Sequence, residues 1–187
     1  MVDQEKIQKS IKDILDAIGE NSAREGLVGT PRRIAEMYAE LFAGMDADPE
    51  AELMVGFDEG HNEMVILRDI PFFSMCEHHL LPFYGIAHVG YIPHETGRLV
   101  GISKIARVVE IFARRPQLQE RMTRQIADTI FKVLQPEGVG VVVQAEHLCM
   151  TMRGIKKAGA SIITSAVRGT FRTKVVTRSE FMSLIKG

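Results

Sequence analysis

The chain has 187 residues, 45% of them hydrophobic and 25% charged, with a net charge of −1. That length supports one domain with a substantial core and room for a small extra lobe, and the near-neutral balance argues against a general polyanion-binding surface, so no nucleic acid partner is expected. The opening residues, Met1-Val2-Asp3-Gln4-Glu5-Lys6, form no apolar signal region, and no apolar run reaches membrane-spanning length; a cytoplasmic protein with no membrane partner is expected.

Taken in order, Ile7, Ile11, Ile14, Leu15 and Ile18 recur at helical spacing, and Gly19 ends the pattern. Thr30-Pro31 predicts a second helix, with Thr30 as cap and Pro31 in the first turn, running to about Phe42. Gly44 to Glu50 is polar and turn-like, a natural link between a helical N-terminal lobe and the rest. Met64 to Ile70 and Phe83 to Ile92 are expected strands, with a turn over Pro93 to Gly97. Ser103 to Ala113 predicts a helix with Ile105, Val108, Val109 and Phe112 on one face, and Gln117 to Leu134 a second after Pro116. Pro136-Glu137-Gly138 is a turn. From Val139 to about Met152 a strand is expected whose one face reads Val141, Val143, Ala145, His147, Cys149, Thr151, Arg153. Ser161 to Val167 is a further strand, and Thr177-Arg178-Ser179-Glu180 is a capping box opening a short terminal helix. Strands joined by hairpins, with paired helices, give an α+β class.

The chemistry gathers in two clusters. Cys76-Glu77-His78-His79 puts a thiol, a carboxylate and two imidazoles side by side, and Glu146-His147-Leu148-Cys149 lies far downstream. The chain has two cysteines, and each stands within three residues of a histidine. Thiolate and imidazole suit zinc better than calcium or magnesium, and this pattern fits metal ligation in a reducing compartment better than a disulfide. Cys76, His79 and Cys149 supply three donors, which leaves a fourth position open for water, as in a catalytic rather than a closed structural site. His78 and His147 remain for proton transfer. Two plainer readings stand beside this one: either histidine could close a four-ligand structural site, or the cysteines are simply buried. Elsewhere, Ser103, Lys104 and Arg107 bring a hydroxyl and two cations to the start of the middle helix, a place suited to phosphate, although a solvated basic face would look the same. Gln119 and Glu120, at the start of the next helix, could hold a donor-rich base edge such as that of guanine, or could be ordinary first-turn residues. Arg153 could face an active site or cap an exposed strand end.

Several separate motifs resemble those of GTP cyclohydrolase I of the zinc-dependent type. They are Ala23-Arg24-Glu25-Gly26-Leu27 with Thr30-Pro31, Cys76-Glu77-His78-His79 with Pro82-Phe83, Gly101 to Arg107, Phe112 to Arg121, His147-Leu148-Cys149 and Arg153-Gly154. The resemblance implies the tunnelling fold, an antiparallel sheet with paired helices, over residues 51–187, preceded by an N-terminal helical region over 1–50. It implies conversion of GTP to 7,8-dihydroneopterin triphosphate with release of formate, the first step of tetrahydrofolate and pterin biosynthesis. Zn2+ would sit on Cys76, His79 and Cys149, and water activated there would open the purine ring at C8. His147 would act as acid and base at the opening ring and His78 at later proton transfers. Glu120 with Gln119 would hold guanine, and Ser103, Lys104, Arg107 and Arg153 the triphosphate. It also implies a toroidal homodecamer of allosteric type, with active sites shared between neighbours. Two other functions compete: an NADPH-dependent nitrile reductase built on the same fold around a nucleophilic cysteine, and a zinc-stabilised assembly module with no turnover.

Overall fold

The computed structural model describes residues 2–95 and 98–186. At the N-terminus, α1 (Gln4–Ala17) is capped by Asp3, whose carboxylate accepts from the Lys6 amide. It packs beside α2 (Thr30–Leu41). Thr30 is not the cap: it is already helical, Gly29 holds the capping position without a side-chain bond, and Thr30 N–H donates to the Leu27 carbonyl. The preceding turn thus satisfies the first helical amide, and the Arg33 amide, which a Thr30 hydroxyl was expected to serve, donates to the Gly29 carbonyl instead.

The segment expected to be a plain link is folded. A 3-10 turn (Ala43–Met45) leads to α3 (Pro49–Leu53), which is capped by Asp48. The Arg115 guanidinium, lying over the Phe112 ring, donates to the carbonyls of Gly44 and Ala47. Gly44 sits so close to the following helix that a Cβ would lie 2.1 Å from the Ile111 carbonyl oxygen. The expected division at residue 50 therefore falls inside α3, whose Leu53 is buried in the core.

Strands β1 (Gly56–Asp58) and β4 (Arg98–Val100) form a small antiparallel pair. The main sheet contains β2 (Val65–Cys76), β3 (Pro82–Ile92), β5 (Pro116–Gln117), β6 (Gly138–His147) and β7 (Ser161–Gly169) in the order β5-β2-β3-β6-β7. All its pairings are antiparallel except β2 with β5. The first long strand runs further than expected, carrying the chain right into Cys76. The turn expected over Pro93 to Gly97 lies partly outside the described residues.

One face of the sheet is covered by α4 (Ile102–Ala113) and α5 (Gln119–Leu134). Their apolar stripes, Ile105, Val108, Val109 and Phe112 on one and Met122, Ile126 and Ile130 on the other, meet Phe72, Phe83, Val89, Val141 and Val143. Burying each such side chain contributes roughly 1.5–3 kcal/mol, which explains why these two helices could be read from periodicity. The chain leaves β6 through α6 (Leu148–Thr151), crosses to β7, and ends with α7 (Thr170–Thr173) and α8 (Val175–Lys186). These last helices lay Phe171 and Phe181 over the other face, against Val142. The expected capping box does not open α8: the helix begins at Val175, ahead of Thr177. Phe181 packs edge-on to Phe171 with centroids 5.4 Å apart, and Arg178 donates to the Phe171 carbonyl, so tertiary contacts fix the helix start upstream.

Candidate metal centre

The ends of β2 and β6 and the start of β3 meet at one end of the sheet. After Cys76 the chain makes a tight turn: the Leu80 amide donates to the Cys76 carbonyl at 2.8 Å, and the Cys76 amide to the Leu81 carbonyl at 2.9 Å. Leu80 takes the left-handed conformation at φ 50°, a strained choice for a branched residue, and it closes the loop that presents His78 and His79. Two contacts tie this loop to the start of α5. The Glu77 amide donates to the Gln117 carbonyl, and Arg121 clasps the Glu77 carboxylate with both terminal nitrogens, one at 2.9 Å. That guanidinium, chiefly by hydrogen bonding, holds the Glu77 carboxyl below its ordinary range. Neither Glu77 nor Arg121 was singled out for a role by sequence. Glu77's place between Cys76 and His78 was the available signal, but nothing near it names a partner so far along the chain.

The second cluster departs from expectation. β6 stops at His147, and Leu148 to Thr151 form a helical turn. Cys149, Thr151 and Arg153 therefore do not continue the strand face that Val141, Val143, Ala145 and His147 share. The reason is geometric. β2 and β6 flank β3, so a straight continuation would leave the two thiols roughly 10 Å apart, two strand spacings. With Cys149 on that turn, one donor atom each of Cys76, His79 and Cys149 all lie within 4.8 Å of one another. Arg153 is exposed beyond this turn.

These donors fit a soft, borderline metal such as zinc by their chemistry. Burial raises the Cys149 thiol above its ordinary pKa; the Cys76 sulfur beside it, by charge and by hydrogen bonding, raises it further, and Arg153 offsets this only in part. Two thiols pressed together make a site where a bound cation would relieve the repulsion between thiolates. Among the described residues this is a group of three donors, not four.

His147 ends β6 opposite Phe83, and the two rings stack in parallel with centroids 4.5 Å apart. The imidazole is 9% exposed, and burial pushes its pKa below the ordinary value, opposed by the nearby Glu120 carboxylate. Its Nε2 meets Gln119 Oε1 at 2.8 Å. Gln119 is not available as expected: it is 1% exposed, and its amide nitrogen donates to the carbonyls of Val143 and Ile162 and to the Thr164 hydroxyl. The side chain points into the protein because α5 lies on the β6 and β7 strands, so it has no free polar edge for a base. Glu120, next in sequence, is exposed, as are His78 and His79.

Ser103, Lys104 and Arg107 are not brought to this place. They open α4, whose first turn packs on Val65, Leu67 and Val89, at the far end of the sheet. From there to Cys76 is roughly 30 Å along β2 at about 3.3 Å per residue. Both cations turn to Glu52 on α3, Lys104 Nζ at 3.0 Å and Arg107 at 3.4 Å. The Lys104 contact is the main reason the Glu52 carboxyl lies below its ordinary range.

The profile of GTP cyclohydrolase I matches residues 7–186. The chain belongs to the GTP cyclohydrolase I family. Similarity extends from end to end. A GTP cyclohydrolase 1 of Dehalococcoides mccartyi is 61% identical over 186 residues, covering 100% of this chain and 98% of that protein. One of Pelotomaculum thermopropionicum is 63% identical over 187 residues, covering 100% and 99%. A crystal structure of the archaeosine synthase QueF-Like in the apo form covers 57% of this chain and 93% of its own at 20% identity, with a TM-score of 0.45, a likeness too slight to bear on the fold. Membership makes the chain a hydrolase. Among the described residues, no helix is long and apolar enough to cross a membrane.

Proposed function

We propose that this protein is a zinc-dependent enzyme that hydrolyses and rearranges GTP to 7,8-dihydroneopterin triphosphate with release of formate, at the entry to tetrahydrofolate and pterin biosynthesis. The observation that carries this reading is the convergence of Cys76, His79 and Cys149 beside a buried, neutral His147 in a member of the GTP cyclohydrolase I family. Those three side chains would hold zinc, which when bound supplies a Lewis acid able to acidify water to near-neutral pKa. His147, kept neutral by burial, is ready to take a proton as C8 is attacked and to return it as the ring opens. His78, exposed on the same loop, serves later proton transfers. Glu120 accepts from the N1–H and amino group of guanine. Ser103, Lys104, Arg107 and Arg153 bind the triphosphate; with Glu52 already turned toward two of these cations, phosphate would compete with it for them.

The same reading calls for more than one chain. A nucleotide held at Glu120 does not reach Lys104 across the length of the sheet, so the basic end must come from a neighbouring copy. A toroidal homodecamer of the tunnelling-fold type meets that need, with an N-terminal helical region followed by a catalytic domain, the division expected between residues 1–50 and 51–187 being moved ahead of α3. Free thiols as ligands suit the reducing cytoplasm. A closed structural zinc site is less well supported, because neither His147 nor His78 joins the donor group of Cys76, His79 and Cys149.

The test is GTP turnover by purified protein with and without a chelator, following formate and dihydroneopterin triphosphate together. Both products, lost on chelation and restored by zinc, are expected. Neither product from a zinc-loaded oligomer would leave an assembly module. Light scattering gives the oligomer mass independently, and a monomer would end the shared-site reading.

A further inference from the structure

The amide of Gln119 can be oriented in only one way. Its nitrogen end faces the backbone carbonyl oxygens of Val143 at 3.1 Å and Ile162 at 3.0 Å. Carbonyls only accept hydrogen bonds, so this end must carry the two amide hydrogens. Turning the amide over would set an oxygen against two oxygens in a buried site. The Thr164 hydroxyl, 3.2 Å from the same nitrogen, can accept as well, since its own proton can go to Thr123, whose hydroxyl lies 2.7 Å away and donates in turn to the Gln119 carbonyl. The donation then runs from the Gln119 amide on α5 to Thr164 on β7 and back through Thr123 to the Gln119 backbone carbonyl, with the two amide hydrogens shared among three acceptors.

The other end of the amide is therefore an acceptor, and it lies 2.8 Å from His147 Nε2. An imidazole meeting an acceptor there holds a hydrogen on Nε2, whichever its protonation state. The ring has no remaining freedom: the parallel Phe83 ring fixes its plane, and Gln119 fixes its rotation within that plane. Among the described residues no protein group bonds Nδ1, which is left with the lone pair.

We infer that Gln119 is a positioning residue that holds His147 as the Nε2–H tautomer, so that Nδ1 is the atom exchanging protons with the substrate, and that Gln119 does not itself read the base. This inference rests on the proposed GTP chemistry. It assigns the proton acceptor at the level of one atom, and it gives Gln119 and Glu120 different work although they are adjacent in sequence: one faces the core and the other is exposed.

The test has two arms, both on the zinc-loaded enzyme. In the first, protein labelled with 15N only at histidine is studied by solid-state NMR, and the His147 signals are identified as those missing from H147N. The expected result is a protonated Nε2 and an unprotonated Nδ1 in the wild type. Protonation at Nδ1 instead would overturn the inference. In the second arm, Gln119→Met keeps the length of the side chain and removes its hydrogen bonds. With zinc content retained, kcat should fall about 10- to 100-fold, as for other residues that orient a reacting group, with KM for GTP within about twofold. Unchanged kcat with a raised KM would mean that Gln119 reads the base, and would overturn it too. If Gln119→Met does not fold, the wild-type spectrum still decides. A wild type with the Nε2–H form but no GTP turnover would remove the proposed function and leave the hold of Gln119 on His147 standing.

Discussion

The two ends of the main sheet carry different kinds of chemistry and are built differently. At one end three strands terminate together, and candidate metal donors, an oriented histidine and an exposed carboxylate are assembled by the buried Phe83 stack and Gln119 amide and by the half-buried Glu77–Arg121 clasp. At the other end, Ser103, Lys104 and Arg107 stand on the first turns of α4 with one carboxylate, Glu52, as their partner. The first end is preorganised within the chain. The second is a charged platform whose anionic partner, Glu52, is supplied in cis. The proton transfers proposed for the first end would need its fixed geometry, whereas the grip on phosphate proposed for the second would need charge more than exact placement.

The largest effect that would break this contrast lies at the metal end. Cys149→Ala should lose both bound zinc and GTP turnover; full zinc occupancy by elemental analysis would show that the Cys76, His79 and Cys149 group is not the binding site. Next, His147→Ala should keep its zinc while kcat falls about 10²- to 10⁴-fold, the range for a lost general acid–base group. Normal turnover would remove His147 from the chemistry.

At the basic end the expected loss is in binding. If Lys104 grips phosphate as proposed, Lys104→Ala should remove a charge-assisted contact of about 1.5–3 kcal/mol and raise KM about 10- to 150-fold. Co-expressing Lys104→Ala with Cys149→Ala sharpens the comparison. If each site draws its two ends from different copies, mixed assemblies should recover about a quarter of wild-type sites. Sites contained in single chains would recover none.

The smallest effect concerns acid stability. Burial holds both His147 and His88 below the ordinary imidazole range in the folded chain. Once unfolded, they bind protons at the ordinary value. The unfolded state therefore takes up more protons as the pH drops below that range, and stability present above it is lost as the pH falls through the folded values. The urea midpoint of metal-free protein should be lower at about pH 5 than at about pH 7.5. An unchanged midpoint would mean that neither ring is kept neutral by folding.

Some of this could be read without coordinates. The stripes of α4 and α5 repeat at helical spacing because one face of each helix meets a sheet, so local pattern and tertiary burial agree there. That Cys76, His79 and Cys149 could converge on a metal was legible because few other residue types bind a soft metal, and their donor atoms do come together. Legibility failed where a distant contact overrode a local preference. Thr30 and Thr177 look like caps, but a preceding turn and the Phe171–Phe181 contact start their helices elsewhere. Alternation along β6 was right up to His147, and beyond it the helical turn that carries Cys149 toward Cys76 broke the pattern. Gln119 and Glu120 were read as a pair because they are neighbours, yet one residue on a helix is about 100° of rotation, enough to send one inward and the other outward.

The sequence by itself determined the α+β class, the family and which residues could serve as metal donors, because each depends on residue type and local period. The tertiary structure alone decided which of these residues meet. It set Cys149 beside Cys76, turned Gln119 onto His147 and put Lys104 at the opposite end of the sheet. Those outcomes depend on strand order and on where each strand stops, and both are settled by burial across the whole sheet rather than by any local run of residues.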